Sequence, residues 1–452
     1  MSAEIIQRLA QAFRDNSKEL YLVGGTVRDG LLGRPSHDID CATNALPEEI
    51  KQIVAETRPL HIVPIGEKFG TIQVIYPDNV IIEITTYRGE RYQPSSRKPE
   101  VRFGSSLHGD LRRRDFTINA IAKNPLTGHY VDPHLGRRDL KNGVIRAVGY
   151  APQRFADDPL RLMRAVRFAV QLNFHIYEVT LMAMQEQSQT IQQISQERIR
   201  DEICKTLVTD HPAQGLKLLY EAGLLAYILP EVEALRGVEQ PPHHKLDVYE
   251  HTLLVVQMVP VCLEVRLAAL LHDIAKPATK TIDDRGNSHF YEHEDVGAEM
   301  ARDILRRLRF GNETVEYVSK IIKLHMRVNG YSSKWSNGSV RRLFVDAGDV
   351  LDDLLDLAIA DGASDRHERR EAVEARIDEL RERIAHVQAL AMQQPLTPPL
   401  NGDELMALFN RPAGPWLKPL KRHLHDLVIE GALSPTDKQS AIESARTFIE
   451  SL

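Results

Sequence analysis

The chain has 452 residues, of which 42% are hydrophobic and 27% are charged. The chain is too long to fold around a single hydrophobic core, so we expect about two to four domains. The composition is that of a soluble globular protein. We find no signal peptide, no apolar run long enough to span a bilayer, and only three cysteines, none with metal-ligand spacing. These features exclude a disulfide scaffold and predict a cytoplasmic protein.

The formal net charge of −6 argues, on its own, against a nucleic-acid partner. Between Thr85 and Asp115, however, eight Arg and Lys residues stand against four acidic residues. A basic stripe of this kind can attract a polyanion. A solvated loop is the simpler interpretation of a charge run taken alone.

Apolar patterns divide the chain into a first part that mixes strands and helices and a longer helical part. After an amphipathic helix over residues 1–14, strands are predicted at Leu20–Val23, Ile39–Ala42, Thr71–Ile75 and Val80–Thr85. The polar stretch Arg88–Ser106 is predicted to be a mobile loop. Beyond about Ala151 apolar residues recur at helical spacing, with a proline-containing break at Gln393–Leu400.

The most informative motif follows the first predicted strand, where Gly24 and Gly25 precede a short helix and then Asp38 and Asp40. Alternate side chains of a strand point the same way, so these two acids would repel unless a cation lies between them. Mg²⁺ suits such a pair because it takes oxygen ligands and leaves positions for phosphates. An isolated Asp-x-Asp is more often a turn or a helix cap. The glycine turn, whose amides can approach a triphosphate, favours metal-dependent nucleotidyl transfer.

Such a site needs a third acid and several cations. Glu83 is the predicted third acid, because an unpaired acid on an apolar strand would be costly. Arg28, after the glycine turn, and Arg114, in the segment Arg113–Ala120, are predicted to bind the phosphates.

The segment Asp157–Arg167 is predicted to begin a helix at its proline. Spacings of three then place four charged residues on one ridge: Asp158, Arg161, Arg164 and Arg167. The simpler interpretation of this charge pattern is a surface helix stabilised by ion pairs, such as Asp157 with Arg161. A carboxylate at 158 that accepts from an exocyclic amino group, beside a guanidinium at 161 that donates to a ring nitrogen, would instead select cytosine and adenine over uracil and guanine.

Together with Glu197–Glu202, these motifs occur in order over roughly the first 210 residues. As a set they resemble the motifs of the class II tRNA nucleotidyltransferases, also called CCA-adding enzymes. That family belongs to the bacterial poly(A) polymerase group within the polymerase β superfamily. The resemblance implies Mg²⁺ at Asp38 and Asp40. It implies nucleotide contacts at Gly25, Arg28, Arg114, Asp158, Arg161, Arg164 and Arg167.

The resemblance also implies that Glu197–Glu202 braces the base-reading helix. It implies that Arg88–Ser106 is the loop associated with the switch from C to A addition, which disfavours a C-only enzyme. The chain departs from the family pattern at Asp157, where Glu is usual, and the shorter acid would alter the positioning of the neighbouring arginine.

A second group of residues resembles the HD-domain phosphohydrolase pattern, which implies a divalent-metal site. Its core members are His251, His272, Asp273 and Asp361, and His293 and His325 would complete a two-metal version or bind phosphate. Any one of these histidines alone is more often an ordinary helix residue. The ligand types suit Mn²⁺, Ni²⁺, Fe²⁺ or Mg²⁺ without choosing among them.

The expected architecture is an α/β head of the polymerase β nucleotidyltransferase type, a helical neck with the base-reading helix, a helical HD-type body and a helical tail. The expected boundaries are 1–147, 148–215, 216–392 and 393–452. The resemblance implies addition of C, C and A to the tRNA 3′ end from CTP and ATP, with pyrophosphate release and without a membrane. The sequence identifies no protein partner.

Two alternatives remain open at this point. The first is an A-only or poly(A)-adding enzyme of the same family. The second is an HD-type metal-dependent phosphohydrolase whose N-terminal head only binds RNA.

Overall fold

The computed structural model describes residues 2–35, 38–64, 66–91, 100–104, 106–240, 246–362, 367–393 and 396–451. They form two compact units, Met1–Glu233 and Ala234–Leu452. Within the described ranges, no helix combines the length and apolarity needed to cross a bilayer.

The first unit mixes strands with helices, as predicted. Its strands are β1 Leu20–Val23, β2 Asp38–Thr43, β3 His61–Val63, β4 Thr71–Tyr76, β5 Val80–Thr86, β6 Arg88–Arg91, β7 Glu100–Phe103, β8 Ala122–Lys123, β9 Tyr130–Val131, β10 Val144–Ile145 and β11 His175–Ile176. Its helices are α1 Ser2–Asp15, α2 Gly24–Leu31, α3 Pro47–Ala55, α4 Leu107–Arg112, α5 Gly136–Lys141, α6 Ala151–Asp157, α7 Leu160–Leu172, α8 Glu178–Gln187, α9 Gln196–Leu207, α10 Pro212–Glu221, α11 Leu225–Ile228 and α12 Pro230–Glu233.

Seven of these strands form one mixed sheet in the order β3-β4-β5-β2-β1-β8-β9. Strands β2 and β5 run parallel, and the other neighbours pair antiparallel. Apolar side chains of α1 and α3 pack on one face of the sheet against Ile39 and Cys41 of β2. Because side chains alternate along a strand, Asp40 falls on the opposite face. The four predicted strands are confirmed, each to within two residues.

The prediction of a loop over Arg88–Ser106 is wrong at both ends. Strands β6 and β7 pair as an antiparallel ribbon from Arg88 opposite Phe103 to Arg91 opposite Glu100. Main-chain hydrogen bonds between two strands need no apolar pattern, so the polar composition of the segment did not indicate them. Phe103 also packs against Gly70, where an added Cβ would lie 2.7 Å from the Phe103 ring. Residues 92–99 lie outside the described chain, and their predicted mobility stays a prediction.

The second unit is mainly helical. Its elements are α13 Val248–Met258, α14 Leu263–Leu271, α15 Lys276–Thr279, β12 Lys280–Ile282, β13 Ser288–Phe290, α16 His293–Arg307, α17 Asn312–Asn329, α18 Asn337–Ala347, α19 Leu351–Gly362, α20 His367–Gln393, α21 Gly402–Leu408, α22 Leu417–Glu430 and α23 Lys438–Glu450. Strands β12 and β13 form a hairpin that helical spacing had not predicted. The predicted break after Gln393 lies between α20 and α21, and a separate apolar core joins α21, α22 and α23.

Replacing Gly136 by Ala should destabilise the first unit. The added Cβ would clash with the Thr117 carbonyl oxygen and lie 2.8 Å from Ile121 Cγ1. Overpacking of this kind costs roughly 1–3 kcal/mol, seen as a lower urea midpoint of unfolding. Gly30→Ala in α2 is the control, because no atom lies within 4 Å of its added Cβ. An unchanged midpoint for Gly136→Ala would contradict the described packing of α5.

Candidate functional sites

Two acids occupy neighbouring strands on the face of the sheet opposite α1 and α3. Asp40 on β2 pairs in register with Glu83 on β5, and both line a cleft of about 790 Å³. The Asp40 amide donates to Thr26 Oγ1 at 2.7 Å, which ties β2 to α2. Gln73 donates to Glu83 Oε1 at 3.3 Å. The structure therefore brings together the second and third predicted acids.

Asp38, the other predicted metal ligand, begins β2 and pairs with Ile81. Its side chain lies outside the part of the chain that the structure describes. The prediction that Asp38 shares a cation with Asp40 therefore stays a prediction.

The glycine turn lies directly against these acids. Gly24 has a φ of +64°, and a Cβ there would lie 3.1 Å from Arg114 Nη1 and 3.3 Å from Asp40 Oδ2. At Gly25 an added Cβ would lie 3.9 Å from Asp40 Oδ2. Glycine at position 24, with its positive φ, therefore lets the first turn of α2 approach the acid and the arginine closely, whereas a Cβ at position 25 would make ordinary contact.

Two of the predicted phosphate-binding arginines are held by acids. Arg28 donates through Nε and Nη2 to the Asp29 carboxylate, both at 2.8 Å. Arg114 donates to Asp110 Oδ2 at 3.1 Å, and Asp110 Oδ1 accepts from Arg113. Burial raises the pKa of Asp110, but Arg114 and Arg113 outweigh it, so its pKa lies below the ordinary value. Asp110 thus stays ionised and fixes two guanidinium groups.

Asp115 holds a third arginine. Its Oδ2 accepts from Arg164 Nε at 2.9 Å and Nη2 at 2.6 Å, and its Oδ1 accepts from Asn119 Nδ2 at 3.0 Å. Burial raises the pKa of Asp115, but Arg164 and Asn119 outweigh it and hold the pKa well below its usual range. The Asn119 Oδ1 accepts from Arg28 at 2.8 Å. Asn119 therefore links two of the predicted nucleotide-binding arginines, Arg28 and Arg164.

Asp158 and Arg161, the predicted base readers, both line the cleft. The prediction that Asp158 lies on the helical ridge is wrong, because α7 begins at Leu160 and Asp158 is extended, with φ −149°. Asp158 instead lies between α6 and α7, and its Oδ1 accepts from the Leu160 amide at 3.2 Å. Arg161 is 8% exposed and donates to the carbonyl oxygens of Arg154 and Arg113, at 3.1 and 3.0 Å.

Asp157, where the chain departs from the family pattern, pairs with Arg154 at 2.5 Å, and its described contacts do not include Arg161. The Arg154 carbonyl in turn accepts from Arg161. Asp157 and Arg161 therefore contact the same residue, Arg154, one at its side chain and the other at its main-chain carbonyl.

Helix α9, which contains Glu197–Glu202, braces this region through two ion pairs. Glu202 is 3% exposed and accepts from Arg167 Nε at 2.6 Å. Arg198 Nη2 lies 3.1 Å from Asp158 Oδ2. Sequence reasoning assigned no role in the cleft to Arg198 or Lys205, although their spacing of seven predicts one helical face.

Positive charge dominates the cleft. Among the described residues, eight cationic side chains and four acidic side chains line it. The Phe168 ring contacts the guanidinium groups of Arg167, Arg28 and Arg164, whose central carbons lie 4.2, 5.0 and 5.1 Å from its centre. A cleft with this charge and low exposure favours a polyanionic ligand. It also contains all seven predicted nucleotide-binding residues.

The second unit brings together all six predicted members of the His–Asp centre. They form two groups, one of His251, His272 and Asp361 and the other of Asp273, His293 and His325. In each group the candidate ligand atoms lie within 4.8 Å of one another. His251 Nε2 lies 2.9 Å from Asp361 Oδ1, and His272 Nε2 lies 3.2 Å from Asp273 Oδ2. Five helices or helix ends contribute: α13, α14, α16, α17 and α19.

The imidazole rings are oriented as metal ligands usually are. The Nδ1 atoms of His272, His293 and His325 lie 2.6–2.8 Å from main-chain carbonyl oxygens, which only accept. Each Nδ1 therefore donates, which leaves the Nε2 atom of each ring directed into the centre. The Nε2 atoms of His293 and His325 then face each other at 3.3 Å, an arrangement that needs a shared cation or proton.

The pKa shifts of the centre also favour a bound cation. His272 Nε2 and Asp273 Oδ2 are buried and lie 3.2 Å apart, and Lys276 Nζ lies 2.7 Å from the same Asp273 oxygen. Burial lowers the pKa of His272, but Asp273 and Asp361 outweigh it and raise that pKa to about 10. Burial and His272 lower the pKa of His325 to about 4. The carboxylates thus demand a positive charge, and the donor set fits a divalent cation.

Family models match three parts of the chain. They are the poly A polymerase head domain at residues 20–146, the probable RNA and SrmB-binding site of polymerase A at 173–235, and the HD domain at 248–377. A CCA-adding enzyme of Ligilactobacillus salivarius is 44% identical over 48% of this chain and 53% of that protein. The chain thus spans about half the length of that curated relative.

Two further matches extend over nearly the whole chain. The Bacillus stearothermophilus CCA-adding enzyme, whose structure contains CTP, has a TM-score of 0.71 at 28% identity, with 99% of each chain covered. A CCA-adding enzyme of a Geobacillus species is 30% identical over 94% of this chain and 92% of its own. The chain therefore belongs to the family of the CCA-adding enzymes, whose polymerase-type head implies a divalent metal.

Proposed function

We propose that the chain adds C, C and A to the 3′ end of tRNA, using CTP and ATP and releasing pyrophosphate. The observation that carries this proposal is the single cleft in which Asp40 and Glu83 lie with Arg28, Arg114 and the base-reading residues. The CTP-containing relative and the Geobacillus relative support the choice of CCA addition over A-only or poly(A) addition. The same matches support a transferase over a phosphohydrolase with a passive head.

The acids would hold the divalent cation. Asp40, with Asp38 and Glu83, offers the oxygen ligands that Mg²⁺ prefers. When bound, the ion would neutralise phosphate charge and assist the departure of pyrophosphate. Arg28 and Arg114 would bind the triphosphate, a role supported by their position beside the glycines of the α2 turn. The tRNA 3′-hydroxyl oxygen then bonds to the α-phosphorus as the bond to pyrophosphate breaks.

Asp158 and Arg161 would choose the base. The carboxylate accepts from the amino group of cytosine or adenine, and the guanidinium donates to the adjacent ring nitrogen. Uracil and guanine present the opposite pattern and leave buried groups unpaired, at roughly 1–3 kcal/mol each. Arg198 would act through Asp158, with which it pairs. Asp157 would act on Arg161 through Arg154, with which Asp157 pairs.

We also propose the division into head, neck, body and tail at 1–147, 148–215, 216–392 and 393–452, supported by the three family-model spans. A cytoplasmic location is supported by the three cysteines, none of which forms a disulfide. The role of the Arg88–Ser106 segment in the switch from C to A stays a prediction.

Replacing Asp40 by Ala should reduce nucleotide addition to a tRNA that lacks its 3′ CCA by about 10³-fold or more, because the triphosphate loses its cation. The measurement is gel-resolved extension with CTP and ATP at saturating Mg²⁺. Asp15→Ala, at the exposed end of α1, is the matched control and should keep wild-type activity. Extension by Asp40→Ala at the wild-type rate would refute the site, and no extension by the wild-type chain would refute the function.

Arg161→Ala should weaken base selection more than it slows the transfer itself. Loss of one reader removes about 1–3 kcal/mol of discrimination, or roughly 5- to 150-fold in the ratio of kcat/KM for CTP to that for UTP. Arg138→Ala is the control, because that side chain is 59% exposed on α5. An unchanged CTP:UTP ratio in Arg161→Ala would exclude Arg161 as a reader.

We further propose that the His–Asp centre binds one or two divalent cations of the Mn²⁺, Ni²⁺, Fe²⁺ or Mg²⁺ class. A metal-stripped chain should gain roughly 5–10 °C in melting temperature of the second unit when Mn²⁺ is added at about 100 times its Kd. His272→Ala should lose this gain, whereas His386→Ala, exposed on α20, should keep it. The absence of a gain with every one of the four ions would contradict the proposal.

A further inference from the structure

Asn329 is a polar residue at the His–Asp centre that belongs to neither ligand group. It is the last residue of α17, one turn after His325. Its Nδ2 donates to Asp361 Oδ2 at 2.5 Å, while the other oxygen, Asp361 Oδ1, lies 2.9 Å from His251 Nε2. The amide therefore fixes which carboxylate oxygen faces the imidazole ring.

Asp361 needs such support more than the other acid of the centre. It is the next-to-last residue of α19, before Gly362, whereas Asp273 lies in the turn that joins α14 to α15. The Asp361 side chain is 15% exposed, against 2% for Asp273. Asp273 also has a second charged neighbour, Lys276, at 2.7 Å. The orientation of Asp361 toward His251 and His272 thus depends on Asn329.

The other end of the amide is unsatisfied. Asn329 Oδ1 is buried and has no hydrogen-bond partner in the described parts of the chain. The assignment of the amide atoms is fixed by chemistry, because a carboxylate accepts and only Nδ2 can donate to it. An unpaired buried acceptor costs roughly 1–3 kcal/mol, so a donor is expected at this position.

The unpaired oxygen lies beside the His–Asp centre, because the same amide donates to Asp361. Asp273 Oδ2, by contrast, already has Lys276 Nζ at 2.7 Å. The neutral amide oxygen suits a hydrogen-bond donor, and divalent cations in open protein sites usually keep water molecules.

We propose that Asn329 is a positioning residue of the cation group formed by His251, His272 and Asp361. Its N–H group orients the Asp361 carboxylate, and its oxygen accepts a hydrogen bond from a water molecule that accompanies the cation. This inference rests on the proposed metal binding by the centre. Outer-shell partners of metal ligands typically change metal affinity by roughly 10- to 100-fold when removed.

The test measures Mn²⁺ affinity of the metal-stripped full chain by electron paramagnetic resonance of the free ion. Asn329→Ala should weaken binding by at least about 10-fold. Asn329→Asp, which keeps an oxygen but replaces the N–H donor with a second negative charge beside Asp361, should also weaken it. Asn312→Ala, the same substitution at the exposed first turn of α17, is the matched control and should bind as the wild type does.

The metal-free melting temperature separates positioning from a merely structural role. In the metal-free chain, Asn329→Ala removes an unpaired buried oxygen together with the N–H bond to Asp361, and these two effects on stability oppose each other. The variant should therefore melt near the wild-type temperature when stripped, and below it only when Mn²⁺ is present. Equal Mn²⁺ affinity in Asn329→Ala and wild type would overturn the role of Asn329. Failure of the wild type to bind Mn²⁺, Ni²⁺, Fe²⁺ and Mg²⁺ alike would instead overturn the metal centre. If Asn329→Ala does not fold, Asn329→Ser serves with the same expected results.

Discussion

Buried carboxylates that fix arginines are the interaction on which the cleft of the first unit depends. Asp110, Asp115 and Glu202 are 1%, 8% and 3% exposed, and each pairs with at least one cleft arginine. Removing one partner of such a pair leaves a buried charge without compensation, at roughly 3–5 kcal/mol. The acids therefore bind the arginines firmly enough to orient them before any ligand arrives.

Preorganisation of this kind matters for the chemistry proposed. A triphosphate must be bound by groups that need little rearrangement, because charge moves toward the leaving group during transfer. Asn119 extends the arrangement by linking Arg28 to Asp115, so the phosphate side and the base-reading side share one hydrogen-bonded network. In the His–Asp centre of the second unit, main-chain carbonyls rather than carboxylates orient the side chains, here the imidazole rings.

Local patterns in the sequence predicted the central strands, the glycine turn, the acids of the sheet and the six His–Asp residues. They succeeded where the chemistry lies within a few residues or follows a motif. They failed where the partner lies far along the chain: Arg164 and Asp115 are 49 residues apart, and Arg198 and Asp158 are 40 apart. Neither pair has a periodic signal. Asn329 was missed for the same reason, because only folding brings it to Asp361.

We propose that protein side chains, with no nucleic-acid template, select the incoming base in a preorganised cleft. The most direct test offers the wild-type chain a tRNA without its 3′ CCA in four parallel reactions, each with a single nucleoside triphosphate. We expect efficient extension by C residues with CTP and little or no product with UTP or GTP. Comparable extension with UTP or GTP, or none with CTP, would show that the side chains do not select the base.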